Sequence, residues 1–166
     1  MTDEEIKNKR REGDGGTYLV IADGTPEFQV ALNYALHMAK LRRGHVALAR
    51  IIEPAVFVEW QGVESAAREE ARVKAETELE ALAGQAKLQS GITPSLIIRE
   101  GDKHDEIIAI AKGNPALVAI VLGASLHKGS PGPMVQYFTV KGIPQIAVPV
   151  IIVPGHLKDE DVKKLA

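Results

Sequence analysis

The chain has 166 residues, 45% of them apolar but only 4% aromatic, which suits one domain with an aliphatic core. A net charge of −2 argues against nucleic-acid partners, which call for a basic excess. The absence of cysteine removes disulfides, thiolate metal sites and a cysteine nucleophile, and the five histidines form no short metal-ligand pair, so no metal site is expected.

Residues 1–16 are charged, carry one aliphatic side chain beyond the initiator (Ile6) and end in Gly13-Asp14-Gly15-Gly16. They read as a disordered arm or a short frayed helix. The apolar run 18–22 is the first strand, stopped by Asp23-Gly24-Thr25-Pro26. Thr25 suits an N-cap and Pro26 the first helical position. A helix is predicted over 26–43, with Phe28, Ala31, Leu32, Ala35, Met38 and Ala39 on one face. Arg42 and Arg43 suit its carboxyl end and Gly44 terminates it.

Residues 46–52 are the second strand, ended by Pro54. Residues 55–62 form a semi-apolar loop with Val56, Phe57, Val58 and Trp60. The longest helix is predicted over 65–89, rich in Glu, Ala, Lys and Arg. Gly84 inside it costs about 1 kcal/mol relative to alanine and marks a place to bend or fray. A third strand is centred on 96–98. Asp102 is placed to cap a helix over 103–112, buried through Ile107, Ile108 and Ala111.

After Gly113-Asn114-Pro115 comes 116–122, a run with no polar side chain at all. A run so short and so apolar reads as a strand buried on both faces. A loop of glycine, serine and proline follows, then a short helix over 134–140 and a last strand over 145–153. Residues from 156 onward read as a polar tail of at most one helical turn. Strands alternate with crossovers long enough for parallel connections, which implies a parallel sheet covered by helices on both faces. The charged start of the chain and the lack of any run near 18 apolar residues point to a cytoplasmic protein that neither enters nor spans a membrane.

Two strand ends carry more than a turn requires. Asp23 and Gly24 follow the first strand, and Gly123, Ser125, Gly129, Ser130 and Gly132 follow the fourth. In an open parallel sheet ligands bind at the carboxyl ends of strands, where the strand order reverses. Glycines there let backbone N–H groups approach phosphate oxygens, serine hydroxyls add donors, and an acid such as Asp23 can hold a ribose hydroxyl or a metal carried by the phosphates. The same residues also make ordinary turns, and their spacing matches neither common phosphate-loop pattern. His104, between Asp102 and Asp105, reads as part of a solvated first helical turn rather than an acid–base group.

The chain resembles universal stress proteins of the UspA type over residues 17–154. The residues that carry the likeness are Leu19-Val20-Ile21-Ala22-Asp23-Gly24-Thr25, Leu48-Ala49-Arg50-Ile51-Ile52-Glu53-Pro54, Ile98-Arg99-Glu100-Gly101-Asp102, and Ile120-Val121-Leu122-Gly123-Ala124-Ser125 with Ile143-Pro144-Gln145-Ile146-Ala147-Val148. The resemblance implies a doubly wound, five-stranded parallel sheet in the order 3-2-1-4-5. This is a Rossmann-like α/β fold of the adenine nucleotide alpha hydrolase kind. It also implies an adenine nucleotide, ATP or AMP, between strands one and four, with Mg accompanying ATP. Asp23 matches the family's nucleotide-site acid, and Ile51 the position whose backbone meets adenine. In the family's glycine signature Gly123 matches the first glycine, Leu126 stands at the second, and Gly129-Ser130 is the nearest Gly-Ser pair, in a shortened loop. No catalytic base for ATP hydrolysis is identified. The alternative is a regulatory interaction module of the same fold that holds no nucleotide.

Pro149 lacks an N–H and places the last strand at a sheet edge. Ile146, Val148, Val150 and Ile152 alternate along it and would leave an apolar edge exposed. A homodimer through this strand covers it, as the resemblance also implies. The other cover is the tail from His156 folding back.

Overall fold

Five aliphatic runs build one sheet: β1 (Thr17–Ile21), β2 (His45–Ile52), β3 (Ser95–Glu100), β4 (Leu117–Ala124) and β5 (Val150–Pro154). Their order is β3-β2-β1-β4-β5 and every neighbouring pair is parallel. The computed structural model describes residues 14–54 and 61–165, with the backbone alone at 61–64. Most of the 55–62 loop, including Val56, Phe57, Val58 and Trp60, and most of the charged arm lie outside the described residues. The helices are α1 (Pro26–Arg42), α2 (Gln61–Ser90), α3 (Lys103–Gly113), α4 (Pro133–Val140) and α5 (Asp159–Leu165), with a 3-10 turn at Ile143–Gln145.

Alternation along the central strands sends side chains to two separate cores. Tyr18, Val20, Val46, Leu48, Ala119 and Val121 meet α1 through Phe28, Leu32 and Leu36, and α2 through Leu79 and Ala86. Leu19, Ile21, Ala49, Ile51, Ile120 and Leu122 face the other way, onto Ile107, Ile108 and Ile110 of α3 and Met134, Val135 and Phe138 of α4. Both faces of β1 and β4 are therefore buried, as expected for strands with no polar face. Among the described residues, no helix is long and apolar enough to cross a membrane.

Helix ends depart from the sequence reading in instructive ways. Asp102 caps α3 as predicted, accepting the Asp105 N–H at 3.0 Å. Thr25 takes the N-cap position of α1, but its hydroxyl caps nothing and turns back to Asp23. At the other end of α1, Arg43 adopts the left-handed conformation (φ 56°) that the sequence reading left to the glycine after it. Gly44 is needed for closeness instead, since a Cβ there would stand 2.4 Å from the Gly16 carbonyl oxygen. α2 runs unbroken through Gly84, where bending or fraying was expected.

The last strand is shorter than predicted. Ile146 and Val148 precede β5 and do not belong to it, while Val150 and Ile152 do. Pro144 sits in the 3-10 turn, and Pro149 has no N–H for the ladder, so only its carbonyl joins, accepting from Ile120 at 3.0 Å. Ile146, Val148 and Val150 pack against the α3–α4 core. The tail does not return along β5. It forms α5, which lies on α1 and buries Val162 to 1% exposure.

Candidate functional site

A cleft of about 370 Å³ opens at the carboxyl ends of β1 and β2, between the two helical layers. Its floor is Ile21, Ala22 and Asp23 from the end of β1 and Arg50 to Glu53 from the end of β2. Successive β2 residues point to opposite faces, so Ile51 turns toward α3 while Arg50 turns toward α2. One wall is a stripe of α2, Ala71, Lys74, Ala75 and Glu78, at the i, i+3, i+4, i+7 spacing of a single helix face. The other wall is Lys103, the first residue of α3.

Short-range hydrogen bonds set the floor. Asp23 Oδ1 accepts from the Thr25 N–H at 3.0 Å and from the Thr25 hydroxyl at 2.6 Å. This Asx-type turn holds the carboxylate at the cleft and leaves Oδ2 for a ligand. Arg50 ties the floor to the wall. Its Nη1 donates to the Ala22 carbonyl at 2.9 Å, and its Nη2 lies 3.5 Å from Glu78 Oε2. The cleft carries three cations, Arg50, Lys74 and Lys103, against three carboxylates, Asp23, Glu53 and Glu78.

The structure brings Asp23 and Ile51 into this one cavity, with Gly24 in the adjoining turn. Gly123, Ser125, Gly129, Ser130 and Gly132 are not among its lining residues. Gly123 lies in β4 where α1 crosses it. The loop that follows is closed on itself. The Ser125 N–H donates to Pro131 O (2.8 Å) and the Ser130 N–H to His127 O (3.3 Å). The Ser125 hydroxyl oxygen accepts from the His127 N–H and the Ser130 hydroxyl oxygen from the Gly132 N–H, both at 3.2 Å. α4 then starts at Pro133 with no capping side chain.

Sequence reasoning missed Arg50, Glu53, Lys74, Glu78 and Lys103. Arg50 had a signal, as the one charged residue within the aliphatic run 46–52. Ala71 and Ala75 with Lys74 and Glu78 had a weaker one, small residues flanked by charges on one helical stripe. His104 lies outside the cleft lining and stacks on Tyr137, ring centroids 3.7 Å apart, which is packing between α3 and α4. Among the described residues, no three His, Asp or Glu side chains gather to hold a metal ion.

The sequence profile of the universal stress protein family matches residues 17–154. Solved structures agree in fold. Universal stress protein UspA from Lactobacillus plantarum superposes with a TM-score of 0.66 at 19% identity, covering 84% of this chain and 98% of that one. A universal stress protein from Archaeoglobus fulgidus gives 0.62 at 18% identity, covering 87% and 97%. A universal stress protein solved in complex with cAMP gives 0.57 at 15% identity, covering 84% and 97%. No curated protein matches the sequence.

Proposed function

The chain belongs to the universal stress protein family, and from that premise we propose that it is a cytoplasmic stress-response protein that holds an adenine nucleotide in the cleft at the ends of β1 and β2. The observation that carries this reading is the shared cavity of Asp23 and Ile51, about 370 Å³ in volume. That size falls within the range of small-molecule sites. Ile51 offers apolar surface and backbone to a base, and Ala71 and Ala75 leave width for a planar ring. Asp23 Oδ2 is placed to accept a ribose hydroxyl. Were the ligand ATP, Mg would arrive with the triphosphate. The related structure that contains cAMP supports a nucleotide as the ligand class. Binding, not turnover, is the proposed activity.

Thermal unfolding and calorimetric titration with ATP, AMP and cAMP test this. A ligand at 100 times its Kd raises stability by about 2.7 kcal/mol, which moves Tm by roughly 5–10 °C in a domain of this size. Asp23→Ala should remove most of that shift. Failure of all three nucleotides to shift Tm at millimolar concentration would overturn the reading.

A homodimer through the β5 edge belongs to the same proposal. β5 pairs on one side only, and Ile152 is 42% exposed. Covering such an edge with its twin is an economical solution. Analytical ultracentrifugation decides it, and a monomer at micromolar concentration removes the dimer.

A further inference from the structure

Resting on that nucleotide reading, we infer that the ligand carries a single phosphate, and that Lys74 and Lys103, not the loop after β4, hold its charge. The two lysines reach the cleft from different elements, α2 and α3. The third cation, Arg50, is already committed to the Ala22 carbonyl and to Glu78. Neither Lys74 nor Lys103 has an ion-pair partner among the described residues. A lysine ammonium is a compact charge with three donors and suits a phosphate oxygen.

Charge decides how much phosphate the site can take. A terminal phosphate group carries about −1.5 to −2 at neutral pH, which two unpaired lysines match. A triphosphate brings considerably more. Beyond Lys74 and Lys103 the cleft's remaining cation, Arg50, is already bonded to the Ala22 carbonyl and to Glu78. The volume of about 370 Å³ is also near the lower end for ligand sites.

The glycine-serine loop does not make up the difference. Four of its N–H groups, at Ser125, His127, Ser130 and Gly132, already donate within the loop. A polyphosphate would have to break these bonds before using those donors, and each bond lost offsets one gained. None of residues 123–132 lines the cavity.

Calorimetric titration of the full chain with adenosine, AMP, ATP and Mg-ATP at one ionic strength tests the inference. AMP should bind about tenfold or more tighter than adenosine, as one or two charge-assisted contacts predict, and Mg-ATP no tighter than AMP. The double substitution Lys74→Ala and Lys103→Ala should bring AMP down to the affinity that the same variant shows for adenosine. Lys128→Ala, in the loop, should leave every affinity as it was. The inference is overturned if Mg-ATP binds about tenfold tighter than AMP, if the AMP advantage survives the double substitution, or if Lys128→Ala abolishes it. If neither adenosine nor any nucleotide binds, the nucleotide reading itself falls. Binding of adenosine with the wrong phosphate dependence sinks only the inference.

Discussion

Gly123 on β4 lies directly beneath the backbone of Glu27 in the first turn of α1, so close that a Cβ at 123 would stand 2.2 Å from the Glu27 carbonyl oxygen. The obstacle is backbone, which cannot rotate away as a side chain can. Gly123→Ala should therefore destabilise the protein by about 1–3 kcal/mol, the usual range for overpacking. Gly84 provides the opposite case. It sits on the exposed face of the last third of α2 with nothing within 4 Å of an added Cβ, so Gly84→Ala should stabilise by about 0.5–1 kcal/mol. Urea unfolding of the two variants should show midpoints displaced in opposite directions.

Ala71 on α2 gives a way to fill the cleft without touching its charges. It lines the cavity and is half-buried. Ala71→Phe should leave stability within about 1 kcal/mol of the parent, as for most substitutions outside a close-packed core. It should abolish the nucleotide-dependent rise in Tm. A full ligand shift in a folded Ala71→Phe protein would place the ligand elsewhere.

Val162 on α5 is 1% exposed, although five of the seven residues of that helix are charged. Removing its two methyl groups should cost about 2 kcal/mol from lost burial and the cavity left behind. The damage should be local to the α1–α5 contact. Hydrogen exchange of Val162→Ala should show faster exchange in α5, with β1 and β4 keeping their protection relative to global stability.

Asp159, at the start of α5, links that helix to His37 of α1 at 3.4 Å and pairs within it with Lys163 at 3.2 Å. Burial pushes its carboxyl up, but hydrogen bonds and charge from Lys163 and His37 outweigh that and hold it below the ordinary 3.8. A carboxyl with a lowered folded pKa contributes stability above its unfolded value and loses it as pH falls through the folded one. Asp159→Asn should thus be less stable than the parent at neutral pH, with the difference fading in the window below 3.8. Acid unfolding curves of the two proteins check this; a gap that persists unchanged into strong acid would refute it.

The candidate site was only partly legible in the sequence. Asp23 and Ile51 were named from strand ends and family likeness, and they do share one cavity. The glycine-serine loop drew attention for its composition, but composition does not reveal hydrogen bonding. Four of its N–H donors are taken, by Pro131 O, His127 O and the two serine hydroxyl oxygens. Lys74, Glu78 and Lys103 read locally as ordinary helix-surface charges. Nothing in their own neighbourhoods says that α2 and α3 flank the same strand ends.

Strands, helices and their alternation were determined by the sequence itself, because each depends on near neighbours. The aliphatic run 116–122 can be satisfied only by burial on both faces, and the 3.6-residue spacing from Phe28 to Ala39 only by a helix with one buried side. Tertiary structure decided what depends on residues far apart in the chain. β5 begins only at Val150, just past Pro149, where it pairs with Ile120 of β4. The tail becomes a packed helix because α1 offers Val162 a place to be buried. In the cleft Arg50 bonds at once to the end of β1 and to α2, joining strand and helix across distances that no local pattern encodes.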